Sequence, residues 1–117
     1  MEDFIRVMKA LSDPNRVKLL KMLQAKPLCV CEIQAVLPIA QPTVSKHLKI
    51  LEKAGLVESR KDGLWVNYTL SSGGKNPYAA TLLGCLRHWM ADEPEIQAAT
   101  GAACRVCRTE IKKKKGG

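Results

Sequence analysis

Aromatic side chains, histidines and long hydrophobic runs are all scarce in this 117-residue chain. One Phe, two Trp and two Tyr are too few for the aromatic platforms on which proteins stack single-stranded bases. Two histidines and the lack of a glycine-rich phosphate loop leave no catalytic constellation to place, so we expect no enzyme. No apolar run approaches the roughly 18 residues of a membrane span, and acidic Glu2 and Asp3 do not suit a secretory signal. The sequence therefore predicts a cytoplasmic protein without a membrane partner.

Positive charge is plentiful, with 19 Lys and Arg against 11 Asp and Glu and a net charge of +8. The lysine run at 112–115 supplies four of these charges at the chain end, and subtracting it from +8 still leaves +4. A basic domain favours a polyanionic partner. Because aromatic residues are so few, double-stranded DNA is the predicted partner.

Hydrophobic periodicity predicts five helices around one β-hairpin. The helices are expected over 3–11, 14–26, 29–36, 42–54 and 78–89, where Tyr78, Leu82, Cys85, Leu86 and Trp89 form the apolar stripe of the fifth. The hairpin is expected to turn at Lys61-Asp62-Gly63. Beyond Asp92 the pattern weakens to a short helix over 95–99 and a Gly-Ala-Ala break.

Two short helices followed by a hairpin are typical of a winged helix-turn-helix, a mostly α fold with a β-hairpin wing (α+β). We predict that residues 1–92 form the DNA-binding domain, to which the resemblance described below adds dimerisation. Residues 93–117 are predicted to be a C-terminal tail that carries cysteines and ends in the lysine run.

The fourth helix has two chemically distinct faces. Val44, Leu48 and Leu51 lie on one arc and His47 lies near it, which predicts a structural histidine. Lysines alone would equally suit a solvated face, but a basic helix beside a basic hairpin favours DNA binding. The residues predicted to contact DNA lie on the recognition helix and at the hairpin tip: Gln41, Thr43, Ser45, Lys46, Lys49, Arg60 and Lys61.

Three stretches of the sequence resemble the ArsR/SmtB family of bacterial metal-responsive repressors. They are the recognition-helix segment 41–57 (QPTVSKHLKILEKAGLV), the junction 10–16 (ALSDPNR) and the thiol segment 28–33 (LCVCEI), which is similar to that of the arsenic-responsive branch. The resemblance implies a homodimer that binds a palindromic operator and is released when a metalloid binds. It also implies that the first and fifth helices form the dimer contact, to which their apolar stripes are suited.

Cys29 and Cys31 are the first candidate ligands. Within a helix Cys29 shares a face with Ile33, so packing alone could explain it. Cys31 lies about 200° around the helix, and an exposed thiol near a helix N-terminus has its thiolate favoured. Side chains two residues apart do not face each other on a regular helix. We therefore predict that one ion joins both sulfurs only by distorting the first turn, which would move the recognition helix behind it.

Trivalent arsenic and antimony prefer three thiolates, and the family's usual third cysteine is replaced here by Gln34. Cys104 and Cys107 in a C-x-x-C are the predicted replacements, although such a pair also suits redox chemistry. The side chain of Cys85 is predicted to pack in the core or in an interface. The predicted effector is As(III) or Sb(III), and no other cofactor is required. A thiol-redox response, or a response to Cd, Pb or Zn at the cysteines, is the alternative, whereas the fifth helix lacks paired histidines for zinc.

Overall fold

A computed structural model describes residues 1–72 and 76–106, which form six helices and a two-stranded antiparallel sheet. In chain order the elements are α1 (Glu2–Ala10), α2 (Pro14–Ala25), α3 (Val30–Val36), α4 (Gln41–Lys53), β1 (Val57–Asp62), β2 (Trp65–Leu70), α5 (Pro77–Leu86) and α6 (Pro94–Arg105). Helices α3 and α4 make the helix-turn-helix, and β1 and β2 make the wing. The predicted fold class is confirmed.

Helix α4 begins and ends within one residue of the predicted bounds. Pro42 occupies its first turn, where a missing N–H goes unused. Its inward face, Val44, Leu48 and Leu51, is fully buried in a core shared with α1, α2 and α3. Gly55 follows the helix with φ of +77°, a left-handed conformation that glycine adopts without strain. The recognition helix is therefore fixed from behind by apolar packing and ended by its own sequence.

The wing turns at Gly63 and Leu64, not at the expected Lys61-Asp62-Gly63. Asp62 pairs with Trp65, which leaves Gly63 and Leu64 as a two-residue loop. Gly63 has φ of +63°, as the first loop position of a type II′ hairpin turn requires. The prediction that Lys61 lies at the tip, together with Arg60, is wrong, because both belong to β1 and the exposed tip residue is Leu64.

Helix α5 is shorter than predicted and ends at Leu86, so Trp89 of the predicted stripe lies beyond it. Within that stripe Leu86 is buried and Tyr78 and Trp89 are exposed, and the other buried residues of the helix are Ala79 and Leu83. At the helix end, the buried ammonium of Lys21 donates to the carbonyls of Leu86 and Trp89 at 2.6 and 3.0 Å. These contacts satisfy carbonyls that the helix end leaves free.

Helix α6 corrects the prediction for the end of the chain. The sequence predicted a helix over 95–99 that breaks at Gly101, but the observed helix runs unbroken from Pro94 to Arg105. A mid-helix glycine costs about 1 kcal/mol relative to alanine. Here the burial of Ile96, Ala99 and Ala103 offsets that cost, because α6 packs against α2 and α3. Within the two described ranges, no helix combines the length and apolarity needed to cross a membrane.

Candidate DNA-binding surface and thiol pair

The outer face of α4 presents polar and basic side chains to solvent. The side chains predicted to contact DNA from this helix are all exposed: Gln41, Thr43, Ser45, Lys46 and Lys49. On the wing, Arg60 and Lys61 are exposed along β1, opposite Asn67 and Val66 of β2. Hydroxyl, amide and ammonium groups on a helix of this kind suit contacts with base edges and phosphates. The arrangement provides a helix and a hairpin of the sort that read duplex DNA.

His47 lies behind this surface, not on it. It is 9% exposed, and its Nδ1 is 3.3 Å from Nη1 of Arg16. Its position is that of the structural histidine predicted from the sequence. Arg16 was not among the functional residues predicted from the sequence, although it is the last residue of the junction segment 10–16 that resembles the family. Its guanidinium also donates to the carbonyls of Lys9 and Ala10 at the end of α1.

The sulfurs of Cys29 and Cys31 are only 2.9 Å apart. The expectation that the helix keeps them apart is wrong, because the helix does not include Cys29. Helix α3 starts at Val30, and Cys29 is its N-cap residue with extended backbone angles of φ −92° and ψ 170°. An extended residue does not follow the 100° helical rotation, so its side chain turns back towards Cys31. Bringing the sulfurs together therefore requires no distortion of the helix.

Two backbone contacts hold Cys29 outside the helix. Its N–H donates to a carboxylate oxygen of Glu32 at 2.9 Å, the reach-back contact of a capping box. The preceding residue, Leu28, forms a β-bridge with Tyr68 of the wing. Cys29 itself is 2% exposed, whereas Cys31, which was predicted to be exposed, is half-buried. The pair thus lies at the junction of α3 and the wing.

The environment of Cys29 keeps its thiol protonated. Burial, the hydrogen bond with Cys31 and the nearby carboxylate of Glu32 raise the pKa of Cys29 to about 12. The separation of 2.9 Å between the sulfurs lies between two bonded states. A disulfide bond measures about 2.05 Å, and two thiolates on one tetrahedral zinc, at about 2.3 Å each, lie roughly 3.8 Å apart. A movement of about 1 Å in either direction would therefore reach one of these states.

Among the described residues, the C-terminal thiol of Cys104 is not gathered at this pair. Cys104 is exposed on the last turn of α6, and Cys107 lies outside the described residues. Over 1–72 and 76–106, no three His, Cys, Asp or Glu side chains are grouped to hold a metal ion. The last described residue is held by a contact from the loop before α3: the ammonium of Lys26 donates to the carbonyl of Val106. Cys85 is half-buried on α5.

Large apolar side chains remain exposed on α1, at the start of α5 and just beyond its end. Phe4 and Ile5 are 39% and 41% exposed, and Tyr78 and Trp89 are 43% and 51% exposed. Phe4 meets Tyr78 edge to face, with ring centroids 5.4 Å apart. The apolar residues on α1 and α5 therefore adjoin and form part of one surface.

This architecture defines a winged helix-turn-helix DNA-binding protein. Residues 13–59 match the profile described as "Bacterial regulatory protein, arsR family". The arsenical resistance operon repressor of Escherichia coli K12 is 34% identical over 95 residues, 80% of this chain and 79% of that protein. The chain therefore belongs to the ArsR family. It is a DNA-binding transcriptional repressor of that family, not an enzyme.

Two further relatives extend the comparison. A cadmium resistance transcriptional regulatory protein, a CadC homolog of Staphylococcus aureus, is 39% identical over 69 residues, 58% of this chain and 57% of that protein. Among solved structures, the homodimeric winged helix-turn-helix DNA-binding domain Mb0332 of Mycobacterium bovis matches with a TM-score of 0.64 and 28% identity. That match covers 79% of this chain and 81% of the other.

Proposed function

We propose that this protein is a metalloid-responsive repressor of the cytoplasm, which leaves its operator when As(III) or Sb(III) binds cysteine sulfurs. The observation that carries the proposal is the 2.9 Å separation of the sulfurs of Cys29 and Cys31. Both residues stand at the start of the first helix of the helix-turn-helix. Soft thiol ligands select soft ions over hard ones. The similarity to an arsenical resistance repressor supports arsenic as the effector, and the cadmium relative makes Cd²⁺ the competing ion.

A third sulfur completes the site in this proposal, and Cys107 is the stronger candidate. The Lys26 contact ties the carbonyl of Val106 to the loop that leads into Cys29, three residues further on. Cys107 directly follows Val106 in the chain. Cys104, by contrast, is exposed on α6 and joins no ligand group among the described residues. We expect Cys107→Ser, more than Cys104→Ser, to weaken arsenite binding.

Release from DNA follows from the position of the pair between two DNA-binding elements. Helix α3 packs on the recognition helix α4, and Leu28 is hydrogen-bonded in both directions to Tyr68 of β2. An ion that opens the sulfurs from 2.9 Å to ligand spacing would displace α3 or this bridge. A coupling of only about 1–3 kcal/mol changes DNA affinity roughly 5–150-fold.

DNA binding is proposed to use a homodimer on a palindromic operator. The adjoining apolar residues of α1 and α5, Phe4, Ile5 and Tyr78, support these helices as the dimer contact, because large exposed apolar patches mark interaction sites. The two recognition helices would then lie about 34 Å apart, one turn of DNA. Each would present Gln41, Thr43, Ser45, Lys46 and Lys49 to the major groove, with Arg60 and Lys61 of the wing on the flanking backbone.

The test measures operator binding by fluorescence anisotropy while arsenite is added. We expect release of the wild type and of the control Cys85→Ser, whose sulfur lies away from the pair on α5. Cys29→Ser and Cys31→Ser should bind the operator normally and remain bound at arsenite concentrations that release the wild type. Normal release of both variants would refute the proposed site.

A second candidate is a redox response at the same pair. Peroxide could oxidise the two thiols to a disulfide, with the two protons and two electrons reducing one peroxide to two waters. The close sulfurs favour this reaction, whereas the raised pKa of Cys29 opposes it, since a thiolate is the attacking form. Release by peroxide but not by arsenite would favour this alternative. Release by Cd²⁺, Pb²⁺ or Zn²⁺ alone would favour a soft-metal repressor.

A further inference from the structure

We propose that Arg16 is a positioning residue that fixes the recognition helix against α1 and thereby sets the half-site spacing that the dimer accepts. The inference rests on the proposed homodimer through α1 and α5. If α1 belongs to the dimer contact, the angle between α1 and α4 determines how far apart the two recognition helices stand. A residue that locks that angle then selects among operators without touching a base.

The guanidinium of Arg16 contacts both helices at once. Nε donates to the carbonyl of Ala10 at 2.7 Å and Nη2 donates to the carbonyl of Lys9 at 3.2 Å, both at the end of α1. Nη1 lies 3.3 Å from Nδ1 of His47 on α4. A guanidinium has no acceptor, so Nδ1 must accept and the ring proton must lie on Nε2. The planar fork of arginine suits three directed contacts, which a lysine ammonium cannot reproduce in this geometry.

The backbone of Arg16 is itself held in place. Its N–H donates to the carboxylate of Asp13 at 3.2 Å, and the N–H of Asn15 donates to the same oxygen at 2.8 Å. Burial alone would raise the pKa of Asp13, but the hydrogen bonds from the backbone N–H groups of Arg16 and Asn15 and the charge of Arg16 lower it. The capping carboxylate therefore remains ionised at neutral pH. The side chain of Arg16 reaches across from the fixed first turn of α2.

Packing alone does not close α1 against α4 on this side. A cleft of about 600 Å³ separates them, lined by Ile5 and Lys9 of α1, Ile50 and Lys53 of α4, and Arg16. Val7 and Ala10 of α1 do share a core with the inward face of α4, but apolar contacts are missing on the side of the cleft. On that side polar contacts contribute more to the angle between the two helices. Arg16 bridges the helices at this cleft, so its loss should loosen their angle.

The experiment measures spacing preference on duplex DNA. Wild-type protein first selects its preferred palindrome from randomised duplexes, and dissociation constants are then measured with the half-sites moved closer or further apart by one base pair. Discrimination is the ratio of the dissociation constants for the shifted and the preferred spacing. We expect this ratio to be about tenfold smaller in Arg16→Met than in the wild type, which corresponds to the loss of one hydrogen bond to a charged group. Binding to an isolated half-site should change much less. Arg16→Lys should restore only part of the discrimination.

A second variant keeps the test decisive if Arg16→Met fails to fold. His47→Leu removes only the link to α4 and should reduce discrimination as Arg16→Met does. Nitrogen NMR of His47 gives a structural readout: the Nε2–H tautomer should dominate in the wild type and lose that dominance in Arg16→Met. If the wild type discriminates between half-site spacings and both variants discriminate equally well, the role of Arg16 is overturned while the proposed dimer stands. A wild type indifferent to spacing contradicts the proposed dimer and, with it, this role.

Discussion

Leu28 and Tyr68 exchange two backbone hydrogen bonds, of 3.1 and 2.8 Å, so the residue before Cys29 is attached to the second strand of the wing. The bridge explains why Cys29 is extended and why its sulfur lies near that of Cys31. It also provides a route by which a change at the sulfurs reaches the wing without first passing through α4.

Hydrogen exchange tests this route. Arsenite should weaken the bridge, so the amides of Leu28 and Tyr68 should exchange faster in the loaded protein, by roughly 5–150-fold for a coupling of ordinary size. The control is the amide of Leu56, bonded at 3.0 Å to the carbonyl of Leu51 at the end of α4. Equal protection of Leu28 and Tyr68 with and without arsenite would exclude the wing as the route.

The pH dependence of binding should distinguish arsenite from a divalent cation. The pKa of Cys29 is raised to about 12, so its thiol is protonated throughout the neutral range. Cd²⁺ must displace that proton, and its affinity should rise about tenfold per pH unit for each proton released. Arsenite enters as As(OH)₃, whose hydroxides leave as water with the thiol protons, so no net proton is released.

Calorimetric or competition titrations between about pH 6 and 8 check this contrast. We expect the Cd²⁺ affinity to climb with pH and the arsenite affinity to stay nearly level. Cys29→Ser should reduce the slope for Cd²⁺ by about one. A Cd²⁺ affinity that is flat in the wild type would mean that Cys29 is already ionised or is not a ligand.

The role of Lys46 in DNA binding can be read from salt dependence. If Lys46 neutralises a phosphate, Lys46→Ala should lower the slope of log affinity against log salt by about one. Lys53→Ala is the matched control, because Lys53 is on the same helix but lines the cleft towards α1. Equal slopes for Lys46→Ala and the wild type would remove Lys46 from the phosphate contacts.

Lys21 should contribute to stability, not to binding. Replacing it with methionine leaves the carbonyls of Leu86 and Trp89 without their buried donor, which should lower the free energy of unfolding by about 1–3 kcal/mol. Lys18→Met is the control, since Lys18 pairs at 3.5 Å with the exposed carboxylate of Glu95, and loss of such a solvated ion pair should cost under about 1 kcal/mol. Urea unfolding curves measure both. Equal losses would show that the buried contacts add nothing beyond those of a surface lysine.

The elements that follow local rules were predictable from sequence. The recognition helix has a proline start, a glycine end and a clear apolar stripe of Val44, Leu48 and Leu51, and the structure confirms all three features. The α3–α4 pair and the hairpin also follow local sequence signals, and for that reason the fold class could be predicted from them. Within the hairpin the turn was misplaced, because Asp62 pairs with Trp65 and the loop is formed by Gly63 and Leu64.

The features that depend on distant contacts could not be predicted. Cys29 is extended because Leu28 pairs with Tyr68, forty residues further along the chain, and no local pattern encodes that bridge. Helix α6 persists through Gly101 because it packs on α2, although its local sequence predicts a break. The contacts of Arg16 and Lys21 likewise join residues that lie far apart in sequence.

Arsenic X-ray absorption on the loaded protein counts the sulfur atoms around the ion and so tests the thiol site most directly. We predict three sulfur neighbours in the wild type and in Cys85→Ser, and one fewer in each of Cys29→Ser and Cys31→Ser. A sulfur count that neither of these two substitutions reduces would contradict arsenic binding at the Cys29–Cys31 pair.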